Sequence, residues 1–140
     1  MNHYTANDIV SENFIYKKDS INYKFYDVWN VAGPGWIGDC EDYALTVLWY
    51  MSDQNVFKFF YNLMINPSVT IWYVTIKSSG SGHAILRYND EYVDNIQRKW
   101  FSKNWDCYSR YDFKFPLIPP LIAVKMVMSL PFVLYKKFNG

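Results

Sequence analysis

Gly38-Asp39-Cys40-Glu41-Asp42-Tyr43-Ala44-Leu45 places a cysteine where a glycine-bearing turn gives way to a strongly helical run. Asp39 is a good N-cap, because its carboxylate can accept from the backbone N–H of Asp42. Glu41 and Asp42 put negative side chains in the first turn, where the helix macrodipole favours them. Cys40 therefore begins a helix. The positive end of that helix lowers a thiol pKa while the three flanking carboxylates raise it, so activating Cys40 calls for a basic partner from elsewhere in the chain. Onward from Cys40, the apolar Ala44, Val47, Leu48 and Met51, flanked by Leu45 and Trp49, predict a largely buried helix ending near Ser52. Val56, Phe59, Phe60, Leu63 and Met64 then recur at amphipathic helical spacing, with Asn66-Pro67 as the stop.

Upstream, residues 31–38 hold Gly33, Pro34, Gly35 and Gly38, which is loop chemistry that delivers Cys40. Residues 6–17 suggest a short helix and Ile21 to Trp29 an extended, aromatic-rich segment. Downstream the period changes. Val69 to Lys77 is β-branched and aromatic, Ser78 to Gly82 is a flexible turn, and His83 to Tyr88 returns as a second strand. Asn89-Asp90, both tolerant of positive φ, turns the chain again into Glu91 to Ile96. Two helices followed by a β-meander predict an α+β domain.

The 140 residues are 51% hydrophobic and 21% aromatic, enough for one domain, 1–140, with a sizeable core. Fourteen basic and thirteen acidic residues leave a net charge of +1, so no field draws the chain to nucleic acid or to an anionic membrane. Met1-Asn2-His3-Tyr4-Thr5 lacks a cationic segment followed by an apolar one, which predicts a cytoplasmic protein. Two cysteines, Cys40 and Cys107, are expected to stay reduced there. The tail from Phe115 to Tyr135 is apolar, but Pro116, Pro119, Pro120 and Pro131 break it into pieces well under the ~20 residues of a membrane span. It is expected to form a strand or loop and then a short buried helix that offers a contact to another subunit.

A cysteine nucleophile needs a base, and the base needs an orienting acceptor. His3 sits in a terminal segment expected to fray, whereas His83 begins a strand directly after a glycine-serine turn. If the Asn89-Asp90 turn sets the register, Ile85 faces Asp94 and His83 faces Ile96. His83 and Asp94 then share one face as diagonal neighbours at roughly 7–8 Å, within side-chain reach. One residue more or less in the turn would send Asp94 to the other face. Taken singly, a cysteine at a helix start is usually a small buried hydrophobe, and strand histidines and hairpin aspartates are usually structural or solvated. Convergence of all three is what distinguishes a site.

Gly38 to Leu45, followed by Gly82-His83-Ala84-Ile85-Leu86 and Tyr92-Val93-Asp94-Asn95, resembles the bacterial transglutaminase-like cysteine peptidases, within the papain-like and transglutaminase-like group. The resemblance covers about residues 14–96; the extension over 97–140 matches nothing in that pattern. It implies a papain-like/transglutaminase-like fold, with the nucleophile's helix packed on a small antiparallel sheet, and Cys40, His83 and Asp94 as the triad. Some members bind calcium beside the cysteine, which would correspond to Asp39 and Glu41; no other cofactor is implied. Papain-like enzymes place a glutamine before the cysteine as an oxyanion donor. This chain lacks it, leaving the backbone N–H of Cys40 and, as substitutes, Trp29, Asn30 or Trp36, residues that also read as core or loop.

The expected function is that of a hydrolase, a thiol protease cleaving a peptide or isopeptide bond in a protein, a peptide or a peptidoglycan peptide. Acyl transfer to an amine is the alternative within the same chemistry. A non-catalytic partner-binding module that keeps the fold is the alternative outside it. The Asn/Lys/Ile/Tyr-rich composition and unmatched tail suit a phage-encoded or virion-associated protein.

Overall fold

Helix α2, Cys40–Met51, is buried on every side from Glu41 through Leu48, so the rest of the fold is arranged as its cover. The computed structural model describes residues 2–16, 37–102, 109–117 and 120–129. Among these lie four helices and a five-stranded antiparallel sheet, a mixed α+β architecture. Helix α1, His3–Asn13, is capped by Asn2, whose side chain accepts from the backbone N–H of Thr5 at 2.8 Å. Helix α3, Val56–Met64, is capped by Asn55, which accepts from the N–H groups of Phe57 and Lys58. The fourth helix, α4, occupies residues 120–129.

The sheet contains β3 (Val69–Ile76), β4 (Gly82–Tyr88), β5 (Glu91–Val93), β6 (Phe101–Ser102) and β7 (Tyr111–Pro116), in the order β6-β5-β4-β3-β7. The first three form the expected meander, β6 extends it by one strand that was not expected, and the tail returns to close its other side. A separate two-residue parallel pairing joins β1, Ile15–Tyr16, which the sequence suggested as the end of a helix, to β2, Ile37–Gly38, where it suggested only loop. One sheet face packs Ile71, Ala84, Leu86 and Val93 against Ala44, Leu45, Val47 and Leu48 of α2. The other gathers Val74, Ile85, Tyr92 and Tyr111 with Trp72, Phe101 and Phe113. No helix among the described residues is long and apolar enough to cross a membrane.

Several boundaries differ from expectation for identifiable reasons. His3 does not fray: its ring packs on Tyr4, Tyr88 and Trp100, and its Nε2 lies 3.0 Å from Glu91 Oε1. Helix α3 buries only Phe59 and Leu63 of the five positions of its expected apolar stripe, leaving Val56, Phe60 and Met64 exposed along with Phe57, at 88%. Helix α4 is partly exposed as well, burying Ile122 and Ser129 while Leu121, Val124, Val127 and Met128 face outward. Strand β5 ends at Val93 instead of Ile96, because Asp94 commits its hydrogen-bonding capacity to a turn. Its Oδ1 accepts from the Gln97 N–H at 2.7 Å, and its backbone carbonyl from the Arg98 N–H at 2.9 Å.

Candidate active site

The turn at Asn89, with φ +54°, sets the β4–β5 register as Leu86 with Val93, Arg87 with Tyr92 and Tyr88 with Glu91. That is the register expected from the two-residue turn. Continued past Val93, it brings Asp94 alongside the start of β4. His83 Nε2 lies 2.8 Å from Asp94 Oδ2, with Asp94 fully buried and His83 5% exposed. An acceptor on Nε2 selects the neutral tautomer that carries its proton there, which leaves Nδ1 as the basic nitrogen.

Tyr111, on β7, completes this pair. Its hydroxyl donates to the same Asp94 Oδ2 at 2.6 Å, and its ring stacks on the imidazole at 5.6 Å between centroids and 13° between planes. Burial, then the Asp94 charge, holds the phenol above its ordinary pKa, so it stays a donor. Sequence reasoning missed Tyr111 because β7 pairs with β3 across a long stretch of chain, with a register shift between Tyr73 and Val74 that no local pattern announces.

Arg98, at φ +53°, ties this corner to α1. Its Nη1 donates to the carbonyls of Ser11 and Phe14 and its Nε to that of Asn95, while the guanidinium lies over the Phe14 and Tyr43 rings at 5.8 and 5.9 Å. Tyr43 in turn donates to Asn7 Oδ1 at 2.6 Å, and Asn7 Nδ2 donates to the Arg98 carbonyl.

Cys40 is the first residue of α2. Asp39 caps it through a reciprocal capping box, in which the Asp42 carboxylate accepts from the Asp39 N–H at 3.3 Å. Gly38 is required beside this box: a Cβ there would sit 2.6 Å from Asp42 Cβ and 2.8 Å from its Oδ2. Cys40 and His83 line one cavity of about 380 Å³ with Glu41, Tyr73, Gly82, Ala84, Leu117 and Lys125. Two walls of it, Leu117 and Lys125, come from the tail. The thiol donates to Glu41 Oε2 at 3.2 Å instead of to His83. Burial first, then the charges of Glu41 and Asp39 and the Glu41 hydrogen bond, hold the thiol well above its usual pKa, against a backbone hydrogen bond from Ala84 that lowers it.

Asp39, Cys40 and Glu41 offer ligand atoms within 4.8 Å of one another. Calcium takes six to eight oxygens, and two carboxylates with a soft sulfur fall short of that; Glu41 is also engaged by the thiol. The described donor set therefore does not fit calcium. Trp29, Asn30 and Trp36, expected as oxyanion donors, and Cys107 lie outside the described residues. No protein-family model and no curated protein matches the chain.

Proposed function

We propose that this chain is a cysteine-nucleophile amidohydrolase of papain-like/transglutaminase-like fold, cleaving a peptide or isopeptide bond in a protein or peptide through Cys40, His83 and Asp94. The observation that carries the reading is a buried Asp94 holding His83 by Nε2 while His83 and Cys40 line one cavity. Turning the thiol from Glu41 toward Nδ1 lets His83 take its proton, and the thiolate then attacks the carbonyl carbon. The tetrahedral oxyanion is met by the backbone N–H of Cys40, one of the donors that the start of α2 leaves without an intrahelical acceptor. The imidazolium protonates the departing amine and leaves a thioester. Nδ1 then takes a proton from water, whose oxygen attacks the thioester carbon, and the thiolate leaves with the proton returned from His83. A peptidyl vinyl sulfone at pH 7.5 should alkylate Cys40, read by mass spectrometry of the digest, and His83→Ala should abolish that adduct while leaving any at Cys107 unchanged. Equal labelling of Cys40 in both proteins refutes the reading.

The thiol's bond to Glu41 favours a second reading, a non-catalytic module that keeps the fold and binds a partner. That reading expects Cys40 to be inert to the probe in both proteins.

A further inference from the structure

Asp94 Oδ2 accepts from two donors at once, His83 Nε2 at 2.8 Å and Tyr111 Oη at 2.6 Å, and the phenol ring lies nearly parallel to the imidazole it flanks. We infer that Tyr111 is a positioning residue for the proposed cysteine chemistry, fixing the Asp94 carboxylate and the imidazole plane so that Nδ1 is kept as the basic nitrogen of a ring that lines the Cys40 cavity. This rests on the reading of Cys40, His83 and Asp94 given above.

The carboxylate has three donors and two oxygens. Gln97 N–H pins Oδ1, so the group cannot rotate freely about its Cβ–Cγ bond. Oδ2 would still leave His83 free to tilt about a single hydrogen bond. Tyr111 removes that freedom in two ways: its hydroxyl fixes the direction from which Oδ2 is approached, and its ring covers one face of the imidazole. Tyr111 is itself held, being 2% exposed and packed with Val74, Ile85 and Tyr92. The other groups that share a cavity with His83 are Cys40 and Glu41 from α2, Tyr73 from β3 and Lys125 from α4. None of these described residues is hydrogen-bonded to the imidazole. Positioning therefore falls to the β7 side. A proton-transfer group that is misaligned loses much of the roughly 10²–10⁴-fold that general acid–base catalysis supplies.

Tyr111→Phe keeps the stack and removes the hydroxyl, and Tyr111→Leu removes both; far-UV circular dichroism checks that each folds. The peptidyl vinyl sulfone reports the two constants separately. The expected result is a fall of about tenfold in the maximal inactivation rate for Tyr111→Phe, with the half-saturating probe concentration unchanged, and a further fall for Tyr111→Leu. In a Cys40→Ala background, ¹⁵N spectra of the His83 ring should show a single Nε2–H tautomer while the Tyr111 hydroxyl is present and a mixture of tautomers once Tyr111→Phe removes it. Superimposable His83 spectra, or an inactivation rate unaltered by Tyr111→Phe, overturn the inference. A wild-type protein that does not react with the probe overturns the cysteine chemistry instead, while the ring spectra still report on Tyr111.

Discussion

Asp94→Asn changes one oxygen to an NH₂ with almost no change in volume, and the structure sets what that costs. Three donors converge on the carboxylate: Gln97 N–H on Oδ1, and His83 Nε2 and Tyr111 Oη on Oδ2. With the amide oxygen kept at the Oδ2 position, the new NH₂ faces the Gln97 N–H, and a buried donor loses its acceptor at about 1–3 kcal/mol. The two remaining bonds are no longer charge-assisted, each weaker by about 1 kcal/mol. The total is about 3–5 kcal/mol, a large share of the roughly 5–15 kcal/mol that a domain of this size typically has. Flipped, the NH₂ faces His83 and Tyr111 instead. The hydroxyl can turn to accept and the imidazole can move its proton to Nδ1, which lowers the energetic cost but leaves Nδ1 no longer the basic nitrogen. Either orientation is costly, one in stability and the other in chemistry. Equilibrium urea unfolding, paired with the vinyl sulfone inactivation rate, separates them. A variant less than about 1 kcal/mol destabilised that still reacts at the wild-type rate refutes the assignment of Asp94 as the carboxylate that orients His83.

Arg98→Ala strips the donors from three part-buried carbonyls, those of Ser11, Phe14 and Asn95, and should cost about 3 kcal/mol in urea unfolding, with Arg98→Lys recovering part of it. Glu41→Gln removes one of the charges that keep the Cys40 thiol protonated and leaves only a neutral amide oxygen as its acceptor, so iodoacetamide should alkylate Cys40 faster at pH 8 than in the wild type. Because the folded thiol's pKa is raised, its contribution to stability is fully present below the unfolded thiol's pKa of about 8.5 and is lost as pH rises through the folded value. A Cys40→Ala protein should lack that alkaline loss in thermal unfolding. Gly38→Ala drives a methyl group into Asp42, so overpacking and a weakened capping box should together cost about 2–4 kcal/mol, read as a lower melting temperature.

How much of this was legible in the sequence depended on how local its cause was. Helix α2 could be bounded from Asp39 and Ser52, and the end of α3 from Asn66-Pro67, because caps and stops act within one turn of chain. The β4–β5 register followed from the length of the Asn89-Asp90 turn, and with it the approach of Asp94 to His83. The early end of β5 was not legible, since it comes from Asp94 choosing its own turn over the ladder. Nor were Tyr111 and Arg98, whose partners lie on other elements and whose own neighbourhoods read as ordinary strand edge and loop. The thiol's bond to Glu41 turns on a side-chain rotamer, which no spacing specifies.

The order of strands across the sheet has a consequence for how the protein is made. His83 and Asp94 belong to one hairpin, closed by a two-residue turn, so their contact carries a small loop-closure cost and can form early. Tyr111 reaches them only when β7 docks on the far side of β3, and Cys40 only when α2 has packed against β4. The contact between imidazole and carboxylate therefore needs only the hairpin, whereas the cavity that Cys40 and His83 line needs the long-range packing as well. The chemistry proposed for this cavity would then depend on the contacts of longest sequence separation, and a chain still short of them would lack it.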